Sequence, residues 1–273
     1  MDNKILIMGS GYIGSRLKEE LDALVSDKII SNYSEAEEEV LKFKPKIIIN
    51  CIGYTGRNVD ECELDKNTTL LANTFLPIML AEVALRHNIK LVHISSGCIY
   101  HYDYANDKPI REDKIPDYLD LYYSRTKVYS ELSINALLRK YPFLVVRIRI
   151  PLDNRSNPKN LLNKLIKYQR IIDLPNSVTY IPDFVRAMRH LISINATGIY
   201  NLVNKGALKY PELMDVYRKY VPGFKYSVIK IEELGIVRTN LILSTEKLEK
   251  SGFNVRDIHD ILDECIQGYL GDS

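Results

Sequence analysis

The segment Tyr123-Ser-Arg-Thr-Lys127 sets a phenol and an ammonium four residues apart. On a helix, side chains at i and i+4 project from the same face. A free tyrosine phenol, with a pKa of about 10, is a poor acid–base group at neutral pH. A neighbouring ammonium favours the phenolate and brings that pKa down. Upstream, Ser95-Ser96-Gly-Cys98 offers the hydroxyl of Ser96 to hydrogen-bond a carbonyl oxygen that Tyr123 protonates. Tyr122 is a competing phenol one residue away. The spacing Y-x-x-x-K is common by itself, so its meaning depends on what else the chain supplies.

The start of the chain supplies a place for a dinucleotide. Lys4-Ile-Leu-Ile-Met-Gly-Ser-Gly-Tyr-Ile-Gly-Ser-Arg-Leu17 reads as a short buried strand, a glycine turn and the start of a helix. That is the context a G-x-G-x-x-G match requires. Gly9 permits the turn, Gly11 lets the backbone approach a pyrophosphate, and Gly14 lets the helix pack on the strand. The free N–H groups of that helix face the anion, and Tyr12 and Ile13 in the loop before it join the candidate cofactor-binding residues. The second strand is expected at 28–31 and ends in Ser31-Asn32 without a carboxylate. An acidic residue there would bind the ribose 2′-hydroxyl of NAD. Its absence leaves a 2′-phosphate without repulsion, so NADPH is the expected cofactor, with NADH possible. The third strand ends in Cys51, Ile52 and Gly53, and with Asn73, Ser31, Tyr123 and Lys127 they complete the candidate cofactor-binding set.

Stepping along the chain, strands and helices alternate. Strands are expected at 5–8, 28–31, 46–52, 89–95 and 143–150, and helices at 15–24, 34–43, 67–87 and 119–140. Ser34 and Glu37 form a capping box, and Pro77 kinks the third helix. This alternation predicts an α/β fold, a doubly wound parallel Rossmann sheet with right-handed crossovers and a smaller C-terminal substrate-binding lobe. The expected division is 1–150, which also receives about 180–203, and 151–273. In the second part helices are expected at 158–170, 183–194, 211–220, 244–252 and 256–269, and strands at 198–203, 226–231 and 237–243. Both the third and fourth strands end on the carboxyl edge, where ligands bind in such sheets.

Composition narrows the function classes. Thirty-seven basic and 35 acidic residues leave a net charge of +2, no general reason to expect nucleic acid. No segment approaches the ~20-residue apolar run of a membrane helix. A strand begins within five residues of the start, which leaves no room for a signal peptide. The four cysteines are scattered without C-x-x-C, so neither a metal site nor a disulfide is expected, and a reducing, cytoplasmic setting fits.

With these motifs together, the chain resembles the extended short-chain dehydrogenase/reductases. Within them it is similar to the dTDP-4-dehydrorhamnose reductase group, and most of all to the bifunctional 3,5-epimerase/4-reductases, the nucleotide-rhamnose synthases of plants and giant viruses. The resemblance runs along nearly the whole chain. It rests on Thr55-Gly-Arg-Asn-Val-Asp60, Ser96-Gly-Cys-Ile-Tyr100, Tyr123-Ser-Arg-Thr-Lys127 and Arg147-Ile-Arg-Ile-Pro151. It continues through Asn157-Pro-Lys-Asn160, Pro175-Asn-Ser-Val-Thr179, Thr197-Gly-Ile-Tyr-Asn201 and Arg238 followed by Thr245-Glu-Lys-Leu248. The Thr-Gly-Arg loop and the Gly-Cys pair are the specific signals.

The resemblance implies a nucleoside diphosphate 4-keto-6-deoxyhexose as substrate, with Ser96, Tyr123 and Lys127 catalysing reduction at C4. It implies that Cys98 and Lys164 carry the epimerisation at C3 and C5. By the same resemblance Thr55, Arg57, Ser96, Gly97, Cys98, Asn160 and Arg238 bind substrate, Arg238 facing the diphosphate, and the chain forms a homodimer. Apart from the resemblance, Cys98 reads as a small buried residue, Lys164 as a solvated helix lysine and Arg238 as a surface charge. The chain departs from the family in three places. Its glycine loop is one residue shorter than the usual G-x-x-G-x-x-G and lacks an Arg that meets the NADP phosphate. Ser96 replaces the commoner Thr, and the loop after Arg57 lacks a proline of the plant relatives. Two other readings stay open: a dTDP-4-dehydrorhamnose reductase without epimerase activity, and a non-catalytic NADP-binding regulatory subunit.

Overall fold

The structure, a computed structural model, describes residues 4–235 and 238–272. Six strands form the central sheet in the order β2-β1-β3-β4-β5-β9. They are β1 Ile5–Met8, β2 Ala23–Ser26, β3 Ile47–Asn50, β4 Lys90–Ser96, β5 Leu144–Ile148 and β9 Gly198–Asn201. The pairs β1–β2, β1–β3 and β3–β4 are parallel. All residues of β1 and β3 are buried, as expected of strands covered on both faces. Register sets Met8 level with both Ser26 and Asn50, and Asn50 level with His93. The strand order reverses next to β1, so the segments after β1 and β3 flank the switch point.

The sheet-bearing unit comprises the residues up to Ile99, Pro116–Arg147 and Arg189–Tyr200. Its helices are α1 Tyr12–Glu20, α2 Tyr33–Phe43, the short α3 Glu61–Leu64, α4 Lys66–Arg86 and α5 Tyr122–Leu138. Leu6, Met8, Ile48, Leu80, Val83, Leu91, Ile134, Phe143 and Val145 share one buried cluster. The 21-residue α4, with an 18-residue window of mean hydropathy 1.5, is long and apolar enough to cross a bilayer by length and composition. Half of that apolar window is buried, and α4 lays Leu76, Leu80, Val83 and Ala84 into the core. The expectation of no segment of this kind is therefore corrected: Asn67, the threonines and Asn73 interrupt the apolar run in sequence without breaking the helix.

The second unit comprises Tyr100–Ile115, Ile148–Met188 and the residues from Asn201 on. It holds β6 Pro151–Leu152, β7 Arg170–Ile172, β8 Thr179–Tyr180 and β10 Ser227–Ile229, paired β6–β8 and β7–β10. Its helices include α6 Leu161–Leu165, most of α7 Ile181–Ser193, α8 Tyr210–Tyr220, α9 Glu246–Lys250 and α10 Leu262–Gly271. Leu161, Leu162, Tyr180, Leu213, Tyr217, Leu262 and Ile266 form its core. Segment 100–115 belongs here and not with 1–150, because the Ile110 N–H donates to the Ile242 carbonyl and the Ser244 N–H to the Ile110 carbonyl, both at 2.8 Å.

Five local expectations are corrected. The first helix begins at Tyr12, directly after Gly11, and stops at Glu20, so Leu24 lies in β2 and not on a helical face. β2 therefore ends at Ser26, the residue after it is Asp27, and 28–31 is not a strand. Asn32, not Ser34, caps α2: its side chain accepts from the Glu35 N–H at 3.0 Å, while Glu37 pairs with His87 at 2.7 Å. The helix expected at 158–170 is only Leu161–Leu165, since Arg170–Ile172 pairs as β7. In the strand expected at 237–243, Val237 lies outside the described residues, and the rest contributes only the bridge of Leu243 to Ile110.

Candidate active site

The glycine loop after β1 is built for close backbone approach. Gly9 has φ +101°, where an L side chain is strained, and a Cβ there would meet Ile52 Cγ1 at 2.9 Å. A Cβ on Gly14 would strike the Gly9 carbonyl oxygen at 1.9 Å. A Cβ on Gly11 would meet nothing within 4 Å. The chain's own packing does not require a glycine at position 11, which leaves open space over the backbone there. It is also the N-cap of α1, and no side chain caps that helix. A cradle of backbone with an uncapped helix N-terminus fits the pyrophosphate of a dinucleotide. Tyr12, Ile13 and Gly14 form the first turn beneath it.

The segment after β3 closes one side. The Cys51 N–H donates to the Met8 carbonyl at 2.9 Å and the Ile52 N–H to Asn50 Oδ1 at 3.0 Å. Burial pushes the Cys51 thiol up to about 12, which leaves it inert as an acid at neutral pH. A Cβ on Gly53 would come within 3.2 Å of both Asn73 Oδ1 and Lys127 Nζ, so Gly53 marks where strand edge, α4 and α5 converge. Asn73 occupies a π-helical turn of α4, Leu71–Phe75. Its amide clasps the backbone of Tyr54 from both sides, accepting from the N–H and donating to the carbonyl, each at 2.9 Å. Such turns rotate one side chain out of helical register and are frequent at functional sites.

The residues expected to handle protons lie at the end of β4 and on the start of α5. Ser96 is the last residue of that strand, and its Oγ accepts from the Cys98 N–H at 3.1 Å. The Cys98 carbonyl in turn accepts from the Ser124 hydroxyl at 2.5 Å. Ser96, Gly97 and Cys98 are thereby tied to the first turn of α5, where Tyr123 stands. Tyr123 and Lys127 are 8 % and 5 % exposed. Burial brings the Lys127 ammonium down to about 8, opposed chiefly by the Glu131 carboxylate and more weakly by the sulfurs of Cys62, Cys51 and Cys98. Tyr122 points elsewhere. Its N–H donates to Glu63 Oε1 at 2.7 Å, its hydroxyl to the Lys66 carbonyl, and its ring carries the cations of Lys66 and Arg125.

Ser31 does not end a strand, and its N–H donates to Glu35 Oε2 at 2.8 Å in the capping of α2. The position that a ribose-reading carboxylate would hold falls at Asp27, exposed directly after β2. The argument for NADPH from a missing carboxylate therefore falls away. Thr55 lies in the loop with Gly56 and Arg57, and the Arg57 guanidinium pairs with Glu61 while remaining largely exposed.

Lys164, Asn160 and Arg238 belong to the second unit. The Asn160 amide is fully engaged by its own loop, which corrects its assignment to substrate. Oδ1 accepts from the N–H groups of Asp153 and Leu162, and Nδ2 donates to the carbonyls of Asp153 and Arg155. Lys164 is half-buried. Burial first, then the charges of Lys159 and Arg238, push its ammonium pKa down. Three cations within electrostatic reach of one another make an anion-attracting group. Motif reading missed Glu131, whose sequence signal is the four-residue step from Lys127; it forms a wholly buried ion pair with Arg147, which the sequence marks only as part of a family motif.

Residues 3–213 match the model of the RmlD substrate binding domain. The chain belongs to that family. It is 30 % identical over 223 residues to a bifunctional dTDP-4-dehydrorhamnose 3,5-epimerase/dTDP-4-dehydrorhamnose reductase of Arabidopsis thaliana, covering 77 % of this chain and 73 % of the relative. It is 29 % identical over 265 residues to a trifunctional UDP-glucose 4,6-dehydratase/UDP-4-keto-6-deoxy-D-glucose 3,5-epimerase/UDP-4-keto-L-rhamnose-reductase of the same plant. That match takes in 90 % of this chain but only 39 % of the relative, so the chain spans well under half of the trifunctional protein. Among solved structures, the L780 UDP-rhamnose synthase of Acanthamoeba polyphaga mimivirus superposes with a TM-score of 0.89 at 24 % identity, over 97 % of this chain and 99 % of that one. A dTDP-4-dehydrorhamnose reductase from Bacillus anthracis in complex with NADP gives 0.85 at 23 % identity, each chain covered in full. The RmlD-type fold is thus the expected Rossmann-like α/β architecture.

Proposed function

We propose that this chain uses NADPH to reduce the C4 ketone of a nucleoside diphosphate 4-keto-6-deoxyhexose, after epimerising C3 and C5 of UDP-4-keto-6-deoxyglucose. The observation that carries the reduction is the hydrogen-bond run from Ser96 through Cys98 to Ser124, which ties the Ser96 hydroxyl to the helical turn of Tyr123, one turn ahead of the buried Lys127. The substrate class and NADPH come from the relatives. Bound in the glycine cradle, the cofactor supplies hydride. The Ser96 hydroxyl donates to the ketone oxygen, and Tyr123 hands that oxygen a proton. One such donor is typically worth about 3–4 kcal/mol in the transition state. Lys127 brings positive charge to the phenol, which makes it the stronger acid. Gly9, Gly11 and Gly14 hold the pyrophosphate through backbone.

For epimerisation, the 4-ketone acidifies the C–H bonds at C3 and C5. Inversion removes a proton on one face and returns one on the other. Cys98, a partly exposed thiol two residues past Ser96, and Lys164, whose ammonium pKa is lowered by burial and by its cationic neighbours, are the groups suited to it. The three cations Lys159, Lys164 and Arg238 suit the diphosphate. The chain further acts as a homodimer. The test is NADPH oxidation by the purified protein supplied with UDP-4-keto-6-deoxyglucose, together with NMR of the sugar in heavy water. Oxidation with deuterium at C3 and C5 is the expected result. Oxidation only of a 4-keto sugar already in the rhamno configuration leaves a reductase alone. No oxidation at all leaves a non-catalytic NADP-binding role.

A further inference from the structure

Beneath Tyr123 and Lys127 lies a buried polar cluster that the proposed reaction does not use. Glu131 stands on α5 one turn past Lys127 and two past Tyr123, and it is 1 % exposed. Its Oε1 accepts from Arg147 Nε at 3.0 Å, and its Oε2 from the Ser95 hydroxyl at 2.7 Å. Arg147, on β5, is equally buried, and Ser95 immediately precedes Ser96 on β4. One carboxylate thus joins the helix of Tyr123 and Lys127, the strand of Ser96 and the neighbouring strand. An ion pair taken out of water in this way is poor evidence of a stabilising device, because desolvation consumes most of the attraction. Its place one turn from a buried ammonium asks for another account.

We propose that Glu131 is a positioning residue for the proton donor: fixed by Arg147 and Ser95 one helical turn past Lys127, its buried carboxylate sets a negative charge that favours the Lys127 ammonium behind Tyr123. The other groups facing Lys127 do not substitute for it. Cys62 of α3, Cys51 after β3 and Cys98 after β4 are thiols, and burial keeps Cys51 and Cys62 protonated at neutral pH. His93 of β4 is fully buried and held neutral by burial and by Lys127 itself, with Nδ1 3.2 Å from Asn50 Nδ2. Glu131 is the carboxylate among them. Burial lowers the ammonium pKa and the carboxylate raises it, so removing the carboxylate lowers it further. The ammonium is lost as pH rises through that value, and the pH window for proton donation closes earlier in a variant without Glu131.

The kinetic arm rests on the proposed reductase reading; the direct arm does not. Protein labelled with ¹³C,¹⁵N-lysine is titrated by NMR, with the Lys127 signal assigned by its loss in Lys127→Met. In Glu131→Gln the Lys127 titration is expected to move down by about one unit or more. Glu131→Asp keeps a charge for Arg147, withdraws the carboxylate by one methylene, and should move it down by less; it decides the matter if the glutamine variant does not fold. The alkaline limb of NADPH-dependent reduction should move with the lysine. A lowered melting temperature with an unmoved lysine titration in the folded variants assigns Glu131 to the fold alone and overturns the proposal. A lysine that moves in a protein that reduces no 4-keto sugar leaves the role of Glu131 standing and sinks the reductase reading.

Discussion

Tyr122 commits its N–H, hydroxyl and ring to Glu63, Lys66 and Arg125, whereas Tyr123 is buried on the turn whose Ser124 hydroxyl reaches the Cys98 carbonyl. The two phenols therefore separate by environment. Tyr123→Phe is expected to lower the reduction rate by about 10²–10⁴ while NADPH binding persists, the usual cost of losing a general acid. Tyr122→Phe should stay within a few-fold of the parent. Stopped-flow absorbance reads both, and the reverse order would pass the proton to Tyr122. Asp27 carries a second residue-scale expectation. A carboxylate directly after β2 accepts from a ribose 2′-hydroxyl and repels a 2′-phosphate. Asp27→Ser should shift the ratio of NADPH to NADH affinity toward NADPH, as calorimetric titration of both cofactors would show. An unchanged ratio would mean that this carboxylate does not face the ribose. For epimerisation, Cys98→Ala and Lys164→Ala should each abolish deuterium uptake at C3 or C5 yet still reduce a rhamno-configured 4-keto sugar. Wild-type exchange in both would remove the epimerase assignment.

At the scale of elements, α4 shows what a loop near a cofactor requires. The π turn Leu71–Phe75 turns Asn73 out of register so that its one amide satisfies both polar groups of the Tyr54 backbone. Asn73→Ala strips both partners at once, and each buried polar group left unpaired costs about 1–3 kcal/mol. A lowered melting temperature with weakened NADPH binding is expected, by thermal unfolding and calorimetry; unchanged values would show that the loop holds without the clasp. Pro77 marks this helix in sequence as irregular, but nothing in its spacing says that the irregularity is a π turn, since that depends on what α5 and the loop demand. β1, β3, β4 and β5 were legible because continuous apolar runs bounded by turn residues have few other uses. β2 was not, because Leu17, Leu21 and Leu24 continue a helical stripe across the helix end, and over four residues the two periods cannot be told apart. The glycine loop, Ser96, Tyr123 and Lys127 were legible from type and spacing. The structural role of Asn160 and the Glu131–Arg147 pair were not, because each depends on partners that only the folded chain brings together.

The whole molecule adds a feature that neither scale explains. α5 is apolar on more than its core face. Val128 and Ile134 are buried, while Tyr129 and Leu132, one turn apart, are each 45 % exposed. α5 packs on α3 and on the π turn of α4, and these also show apolar side chains to solvent, Leu64 at 86 % and Phe75 at 47 %. Large apolar patches on a free surface are uncommon outside interfaces. This face suits the proposed homodimer, in which α5 of one copy meets α5 of the other across a two-fold axis, so that each substitution acts twice. Leu132→Glu sets two carboxylates into such an interface. Light scattering should give twice the mass of one chain for the parent and a single chain for Leu132→Glu. Leu132 is exposed and is none of the groups assigned to chemistry, so turnover per chain should stay within a few-fold. A parent that runs as a monomer, or a variant that remains dimeric, would move the interface elsewhere or remove it, and the exposed face of α5 would then need another partner.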